Sequence, residues 1–587
     1  MSIGSWLARK RAPAIDGAAL LQAAHELEAA GRQQEAAANC ERILAAEPRH
    51  RDALVLSARL AAQRGDLELA RARFEAVLAL DPNLAAAHAD LGNVLHLAGE
   101  LQAAGESYET ALALDPALAA AWNNLGLNHL AGNHAEAAAA AFAEALARAP
   151  GFAEALRNLV SVNARLGRFT DSRQRLQAEL ARDPGNAGAR AALGFVELSG
   201  FLDPALALDH FEEARALGLE SAELLTNRGI ALHDLGRIND AIESYDAALA
   251  ADAQYRLARL NRGLAKLIEH RFADAWEDYE ARAEPEAAPL AIPQWDGAGL
   301  AGKTLLIRAE QGLGDEIMFA SCVPDVMARA GHCVIECAAK LEPLFRRSFA
   351  QATVQGGARS ASPAWLDSMP QPDFQVRIGS LPRRLRTSLQ DFPSHNGYLR
   401  ADPAMVERWR ARLSGLGPGA KVGLSWRGGT AQSRASLRSL PLERLAPLFA
   451  VPGVRFVSLQ FDANDAEIAS FCAASGLELA HFPEAMANYD ETAALVAALD
   501  LVVSVCTAVI HLGGALGVPV WVMAPRVPEW RYGIAGETMP WYPRNRVLRQ
   551  SAHGDWDGLI GRVARGLRAR FAGAPGTPGG ESPGKSG

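Results

Sequence analysis

Cysteine is scarce. The 587 residues hold six, Cys40, Cys322, Cys333, Cys337, Cys472 and Cys506, and no two make a C-x-x-C pair or a zinc set with nearby histidines. That excludes a metal ribbon and suits buried thiols in a reducing cytosol. No run of about 18 apolar residues occurs, so no membrane-spanning segment is expected. Met1–Gly17 carries Arg9, Lys10 and Arg11 with no apolar stretch behind them, which does not read as a secretory signal. An excess of positive charge is also missing. Lys and Arg total 59 against 67 Asp and Glu, for a formal net charge of -8. The balance gives no general electrostatic reason to bind nucleic acid or an anionic membrane.

What is present is length and order. The chain is too long for one core, so three or four domains are expected. With 49% hydrophobic and 21% charged residues, the composition is that of a soluble globular protein. From Gly17 to Glu286 the sequence repeats every 34 residues, marked by turn prolines Pro48, Pro82, Pro116, Pro150 and Pro184. One unit carries Trp122, Leu125, Gly126, Ala138, Phe142, Ala145 and Pro150, and the unit before it Leu91, Gly92, Ala104, Tyr108, Ala111 and Pro116. Later units read Gly229, Ala241, Tyr245 and Ala248, then Gly263, Ala275 and Tyr279, while Leu193–Leu219 has an extra residue and is degenerate. This pattern resembles the tetratricopeptide repeat. The resemblance implies antiparallel helix pairs, about eight of them, with small residues at the crossings and aromatics filling the gaps. Asn123, Asn124, Asn158 and Asn227 fall on first-helix positions that suit recognition of an extended backbone in a groove. The array is expected to hold a protein partner, or to serve as a spacer or oligomerisation arm.

Beyond Glu286 the composition changes. A linker, 287–302, is expected to dock through Trp295. Short β-branched runs then alternate with helix-like segments, which signals α/β architecture. The strand candidates are Thr304–Ile307, Val334–Cys337 and Phe374–Ile378 in a first lobe (303–408). Val422–Trp426, Val454–Leu459, Leu477–Phe482, Leu501–Val505 and Val518–Met523 follow in a second lobe (409–570). The N-terminal segment 1–16 stands outside this scheme, and the tail 571–587, rich in Gly, Pro and Ser, is expected to be disordered.

Four motifs carry chemistry. Gln311-Gly312-Leu313-Gly314-Asp315 follows an apolar strand and opens a helix, where a carboxylate acts as a general base or merely caps the helix. Val422–Gly428 ends a strand in Arg427. Leu437-Arg438-Ser439 puts a fixed cation before a helix. Cys506-Thr507-Ala508-Val509-Ile510-His511 turns from a strand into a helix. In this order the motifs over Lys303–Gln550 resemble glycosyltransferase family 9, the ADP-heptose:lipopolysaccharide heptosyltransferases. The ending with Trp530-Arg531, Trp541-Tyr542-Pro543 and Arg549-Gln550 resembles the subgroup that fuses tetratricopeptide repeats to such a transferase.

The resemblance implies a GT-B pair of Rossmann-type lobes behind the helical solenoid. It implies inverting transfer of a heptose or other hexose-like sugar from a nucleotide diphosphate to a hydroxyl on a protein or glycan. Asp315 would be the base. Gly312, Gly314, Arg427, Arg438, Thr507, Ala508 and His511 would hold the donor. Asp462, Asp465 and Glu467 are candidates for the ribose, with no choice among them. No cofactor is implied beyond the nucleotide sugar, and no metal, because no D-x-D motif is placed for one. The implied setting is the cytoplasm, or the inner face of the inner membrane. One position departs from the family pattern: Cys506 stands where the family has aspartate, and a thiol does not replace a charged acceptor for sugar hydroxyls. The alternative is a non-catalytic repeat scaffold with a degenerate transferase domain.

Overall fold

The computed structural model describes residues 16–282, 290–310, 312–357, 364–429, 435–463 and 465–571. The N-terminal segment ahead of Asp16, most of the stretch around Glu284–Pro289, Gln311 and the tail after Phe571 lie outside them. The chain divides into two compact units, Met1–Glu220 and Ser221–Gly587.

The first unit is helical. Its pairs are Gly17–Ala29 with Gln33–Ala46, Arg51–Gln63 with Leu67–Leu80, Ala85–Leu97 with Leu101–Leu114, Ala119–Ala131 with Ala135–Arg148, Ala153–Leu166 with Phe169–Arg182, and Ala187–Val196 with Pro204–Ala216. The expected repeat physics is visible at three of these crossings. A Cβ on Gly92 would lie 2.7 Å from the Tyr108 ring, one on Gly126 2.5 Å from Phe142, and one on Gly194 2.7 Å from Phe211. The aromatic of the second helix sits directly on the glycine of the first, so neither position tolerates a larger side chain there. The degenerate unit accommodates its extra length in a π-helical turn, Glu197–Phe201, which ends with Leu202 at φ 55°. Asn123 is buried and Asn124 and Asn158 half-buried. Their amides bond to one another between pairs: Asn124 donates to Asn93 (2.8 Å) and Asn158 to Asn123 (2.9 Å).

The second unit begins with two more helix pairs, Ala222–Asp234 with Ile238–Ala251 and Arg256–Ile268 with Phe272–Tyr279. A Cβ on Gly229 would run into the Tyr245 ring, as at Gly92, Gly126 and Gly194. The α/β region follows. Its strands are β1 (Thr304–Arg308), β2 (His332–Ala338), β3 (Thr353–Gly357), β4 (Phe374–Arg377), β5 (Ala420–Ser425), β6 (Val454–Ser458), β7 (Leu479–Ala480), β8 (Leu501–Val505), β9 (Val520–Ala524) and β10 (Arg546–Arg549). They form two sheets, ordered β3-β2-β1-β4 and β10-β9-β8-β5-β6-β7, and every strand pair is parallel.

Two strands escaped the sequence reading. β3 and β10 are sheet edges with mixed composition (Thr-Val-Gln-Gly-Gly and Arg-Val-Leu-Arg), so neither shows the apolar run of a strand buried on both faces. The linker does pack: Trp295 is buried and its backbone N–H donates to the carbonyl of Gln375 (2.8 Å), in β4. The larger contact comes from the last repeat pair. Trp276 donates its indole N–H to Arg386 O (2.7 Å) and lies edge-on to Trp530 (5.8 Å), which also meets Tyr279 (5.6 Å). Helices that began as repeat elements thus share a core with the α/β region, which is why the compact unit starts at Ser221.

Candidate functional site

Each sheet has its first strand inside and its order reverses beside that strand, between β1 and β4 in one and between β5 and β8 in the other. Open parallel sheets leave a crevice at the carboxyl ends of the strands where the order reverses. The glycine loop Gly312–Asp315 follows β1. Arg427–Gly429 follows β5 and Cys506–Thr507 follows β8.

The short helix Leu313–Phe319 starts at Gly312, with Asp315 in its first turn. Its seat is fixed by the buried Glu316, whose carboxylate accepts the Ala338 N–H at the end of β2 (2.9 Å), and by Tyr398, which donates to Ile317 O (2.6 Å). Gly314 allows this helix to approach the helix Ala508–Ala515: a Cβ there would lie 3.1 Å from the His511 ring and 3.4 Å from Ala508 Cα. Gly428 makes the matching approach, since a Cβ there would lie 2.5 Å from Thr507 Cγ2 and 2.8 Å from Cys506 O. Four sequence-predicted residues, Gly314, Asp315, Ala508 and His511, therefore meet at one place, and Gly428 brings the β5 loop to Thr507.

Asp315 is the third residue of its helix, and its carboxyl takes the N–H of Gly312 at the helix start, so it caps the helix as well as pairing across the site. Its Oδ1 accepts the Nε of Arg531 (3.0 Å) and is also contacted by an Nη of Arg531. Burial pushes the Asp315 carboxyl upward, but the Arg531 charge and hydrogen bond, with help from His511 and the Gly312 N–H, hold it below the usual carboxylate value. Burial works against the Arg531 charge, and Asp315 and Glu529 more than offset that. Glu529 also pairs with Arg438, and its other oxygen lies 3.6 Å from Arg531. The charges thus run Arg438, Glu529, Arg531, Asp315 in one line. Arg438 is buried, lies where a Cβ on Gly429 would run into its guanidinium, and has an Nε without a hydrogen-bond partner among the described residues.

Thr507 is the N-cap of its helix and accepts the Val509 N–H (3.3 Å). His511 is buried, with Nδ1 3.2 Å from the Tyr542 hydroxyl. Burial first, then the Arg531 charge, lowers its pKa to about 3, so it is neutral at ordinary pH. Cys506 is buried too, and burial, with Glu529 nearby, pushes its thiol well above the usual value. Arg427 stands apart: it bonds Glu467 (2.9 Å to Oε2) and Asp462 (3.2 Å). It and two of the three ribose candidates make one closed cluster. Sequence reasoning missed Glu529 as a site residue and gave Arg531 no role. The only signal was Trp530-Arg531, because the Arg531–Asp315 contact joins residues 216 apart.

Among the described residues no group of three or more His, Cys, Asp or Glu is arranged to hold a metal ion, and no helix is long and apolar enough to cross a membrane.

Comparison with known proteins supports the repeats directly. A tetratricopeptide repeat model matches residues 21–84, 123–187 and 198–256, and a second TPR repeat model matches 92–132. Similar solved structures include a tetratricopeptide repeat protein from Parabacteroides merdae, 15% identical, covering 42% of this chain and 98% of that one with a TM-score of 0.35. Another is the thermophilic TPR protein TTC0263 of Thermus thermophilus, 21% identical, covering 31% and 99% with a TM-score of 0.26. The curated relative Protein FlbA of Caulobacter vibrioides is 33% identical over 425 residues, which is 69% of this chain and 70% of FlbA. The aligned stretch is longer than the repeat array. The chain carries tetratricopeptide repeats ahead of a parallel α/β region, and it belongs to the family of Protein FlbA.

Proposed function

We propose that the chain is a glycosyltransferase with its two parallel sheets arranged as GT-B lobes. It would move a sugar from a nucleoside diphosphate to an acceptor hydroxyl. The observation that carries this is the meeting of the Asp315 helix with the helix start after β8, beside Arg438 and Arg531.

In this reading the acceptor hydroxyl gives its proton to Asp315, whose Oδ1 is the oxygen that Arg531 holds. Arg438 takes the diphosphate, whose negative charge grows as the glycosidic bond breaks. Arg531 leaves Asp315 a weak base while the site is empty. A diphosphate that draws Arg531 toward itself would restore basicity when the donor is present. Gly314 and His511 set the spacing of the two helix starts, and the neutral imidazole adds no charge there. The repeats would recruit the acceptor, a protein or a glycan. The last repeat pair reaches the site's own wall, through Trp276 and Tyr279 against Trp530.

The second reading, a non-catalytic scaffold, has its own observation. Each of the three site arginines, Arg427, Arg438 and Arg531, is already paired with a carboxylate of the chain. A thermal-shift series with ADP, GDP, UDP and CDP separates the two. The transferase reading expects one diphosphate to stabilise the wild type, by about 2.7 kcal/mol at 100 times its Kd. Arg438→Ala should lose that shift and Asp315→Asn keep it. If none of the four moves the melting point, the scaffold reading stands.

A further inference from the structure

Phe461 is 80% exposed, more than any other large apolar side chain among the described residues. A single exposed phenylalanine on a loose loop needs no explanation. This one is held on both sides. Gln460 before it is buried, and its Oε1 accepts Ser425 Oγ (3.0 Å), Trp426 N (2.9 Å) and Arg427 N (2.9 Å). Its Nε2 donates to Arg427 O (3.0 Å) and to Asp462 Oδ1 (2.7 Å), and Asp462 also takes Arg427 (3.2 Å). The loop after β6 is thereby stitched to the loop after β5, which in turn touches Thr507 through Gly428. The ring stands outward from a rigid ledge at the carboxyl end of β6, one strand beyond the point where the sheet order reverses.

The ledge and the Arg438 end of this surface differ in charge. Asp462 and Glu467 outnumber Arg427 at the ledge, so it repels phosphate and offers carboxylate oxygens to hydroxyl or amino donors. At the other end Arg438 is a buried cation. A ligand that satisfies both ends has an anionic group at one extreme and a flat, hydroxyl-bearing group at the other. In doubly wound sheets an acid at the end of the strand next to the first one meets a ribose, and Asp462 occupies that position.

We propose that Phe461 is the stacking platform for the nucleobase of the bound nucleoside diphosphate, with Asp462 at its ribose. This rests on the donor-site reading above and adds to it the residue that decides whether the nucleoside contributes to binding.

Calorimetric titration of the full chain tests it with inorganic pyrophosphate and with ADP, GDP, UDP and CDP. Wild type, Phe461→Ala, Phe461→Trp and Arg438→Ala are compared. The expected result is that the tightest nucleoside diphosphate binds better than pyrophosphate. Phe461→Ala should weaken it about 5- to 150-fold, the range of one base stacked on one aromatic ring. Pyrophosphate should be unchanged in Phe461→Ala, Phe461→Trp should retain the nucleoside diphosphate, and Arg438→Ala should weaken both ligands. The platform is overturned if Phe461→Ala binds the nucleoside diphosphate as tightly as wild type does. It is also overturned if wild type prefers no nucleoside diphosphate over pyrophosphate, and in both cases the diphosphate site survives. If the wild type binds none of the five ligands, the donor-site reading falls and the platform falls with it.

Discussion

Arg427, at the end of a strand, and Arg438, ahead of a helix, lie in the same lobe and were both candidates for donor phosphate. The structure separates them. Arg427 is about one-third exposed and is matched by two carboxylates, Glu467 and Asp462, so its charge is over-neutralised. Among the described residues, the buried Arg438 has one carboxylate, Glu529, which it shares with Arg531, and one unpartnered nitrogen, Nε. An arginine is available to an anion when the protein has left some of its charge or its donors unanswered. By that measure the donor-site reading puts the phosphate at the Arg438 centre and makes the Arg427 centre a clasp beside Phe461.

The comparison breaks most visibly at Asp315, which belongs to the Arg438 centre through Arg531. Asp315→Asn should keep diphosphate binding and lose about 10²- to 10⁴-fold in sugar transfer, the usual worth of a positioned base. A radiolabelled-sugar transfer assay reads this. Transfer at wild-type rate would remove Asp315 from the chemistry and leave it as a partner for Arg531. Arg438→Ala comes next. Losing one charge-assisted contact should weaken pyrophosphate by about 10- to 100-fold, measured by titration.

The third effect is on stability. His511 in the folded chain has a pKa of about 3, against an ordinary 6.5. The unfolded chain therefore binds one more proton between those values. Stability should fall as pH drops from about 6.5 toward 3, by up to about 1.4 kcal/mol per pH unit. His511→Asn should remove one proton from that slope. Urea unfolding at pH 7.5 and pH 5 measures the difference, and an unchanged slope would mean that the imidazole is charged in the folded state.

The fourth concerns Glu529. In the donor-site reading it is the internal anion that an incoming diphosphate would displace from Arg438 and Arg531. Glu529→Gln should tighten pyrophosphate by roughly 10-fold, since it removes a competing charge from two arginines. Weaker binding would show that Glu529 holds the arginines in place rather than occupying them.

How much of this could be read beforehand differs along the chain. The repeats were legible because their code is local and restated: Gly92 with Tyr108, Gly126 with Phe142 and Gly229 with Tyr245 are the same contact at the same spacing. The interior strands and the edge strands β4 and β7 were legible, and β3 and β10 were not, because each is an edge of mixed composition with no apolar run (Thr-Val-Gln-Gly-Gly and Arg-Val-Leu-Arg). The glycine loop and the Cys506–His511 turn were legible as motifs. Their meeting through Gly314 and His511 was not, and neither was the pairing of Asp315 with Arg531, because contacts between residues far apart leave no periodic trace in one sequence.

The smallest expected effect is the one that most directly tests the comparison. Arg427→Ala should change pyrophosphate affinity by less than about threefold, because the guanidinium is already taken by Glu467 and Asp462 and its charge is screened at that surface. It should instead loosen the ledge, since among the described residues Asp462 would keep only its bond from Gln460. Nucleoside diphosphate binding should then weaken while pyrophosphate binding holds, the reverse of what is expected if both arginines grip phosphate. A loss on pyrophosphate as large as that of Arg438→Ala would mean that the two carboxylates release Arg427 when an anion arrives. The availability of an arginine would then have to be judged by how easily its partners move, and not by how many it has.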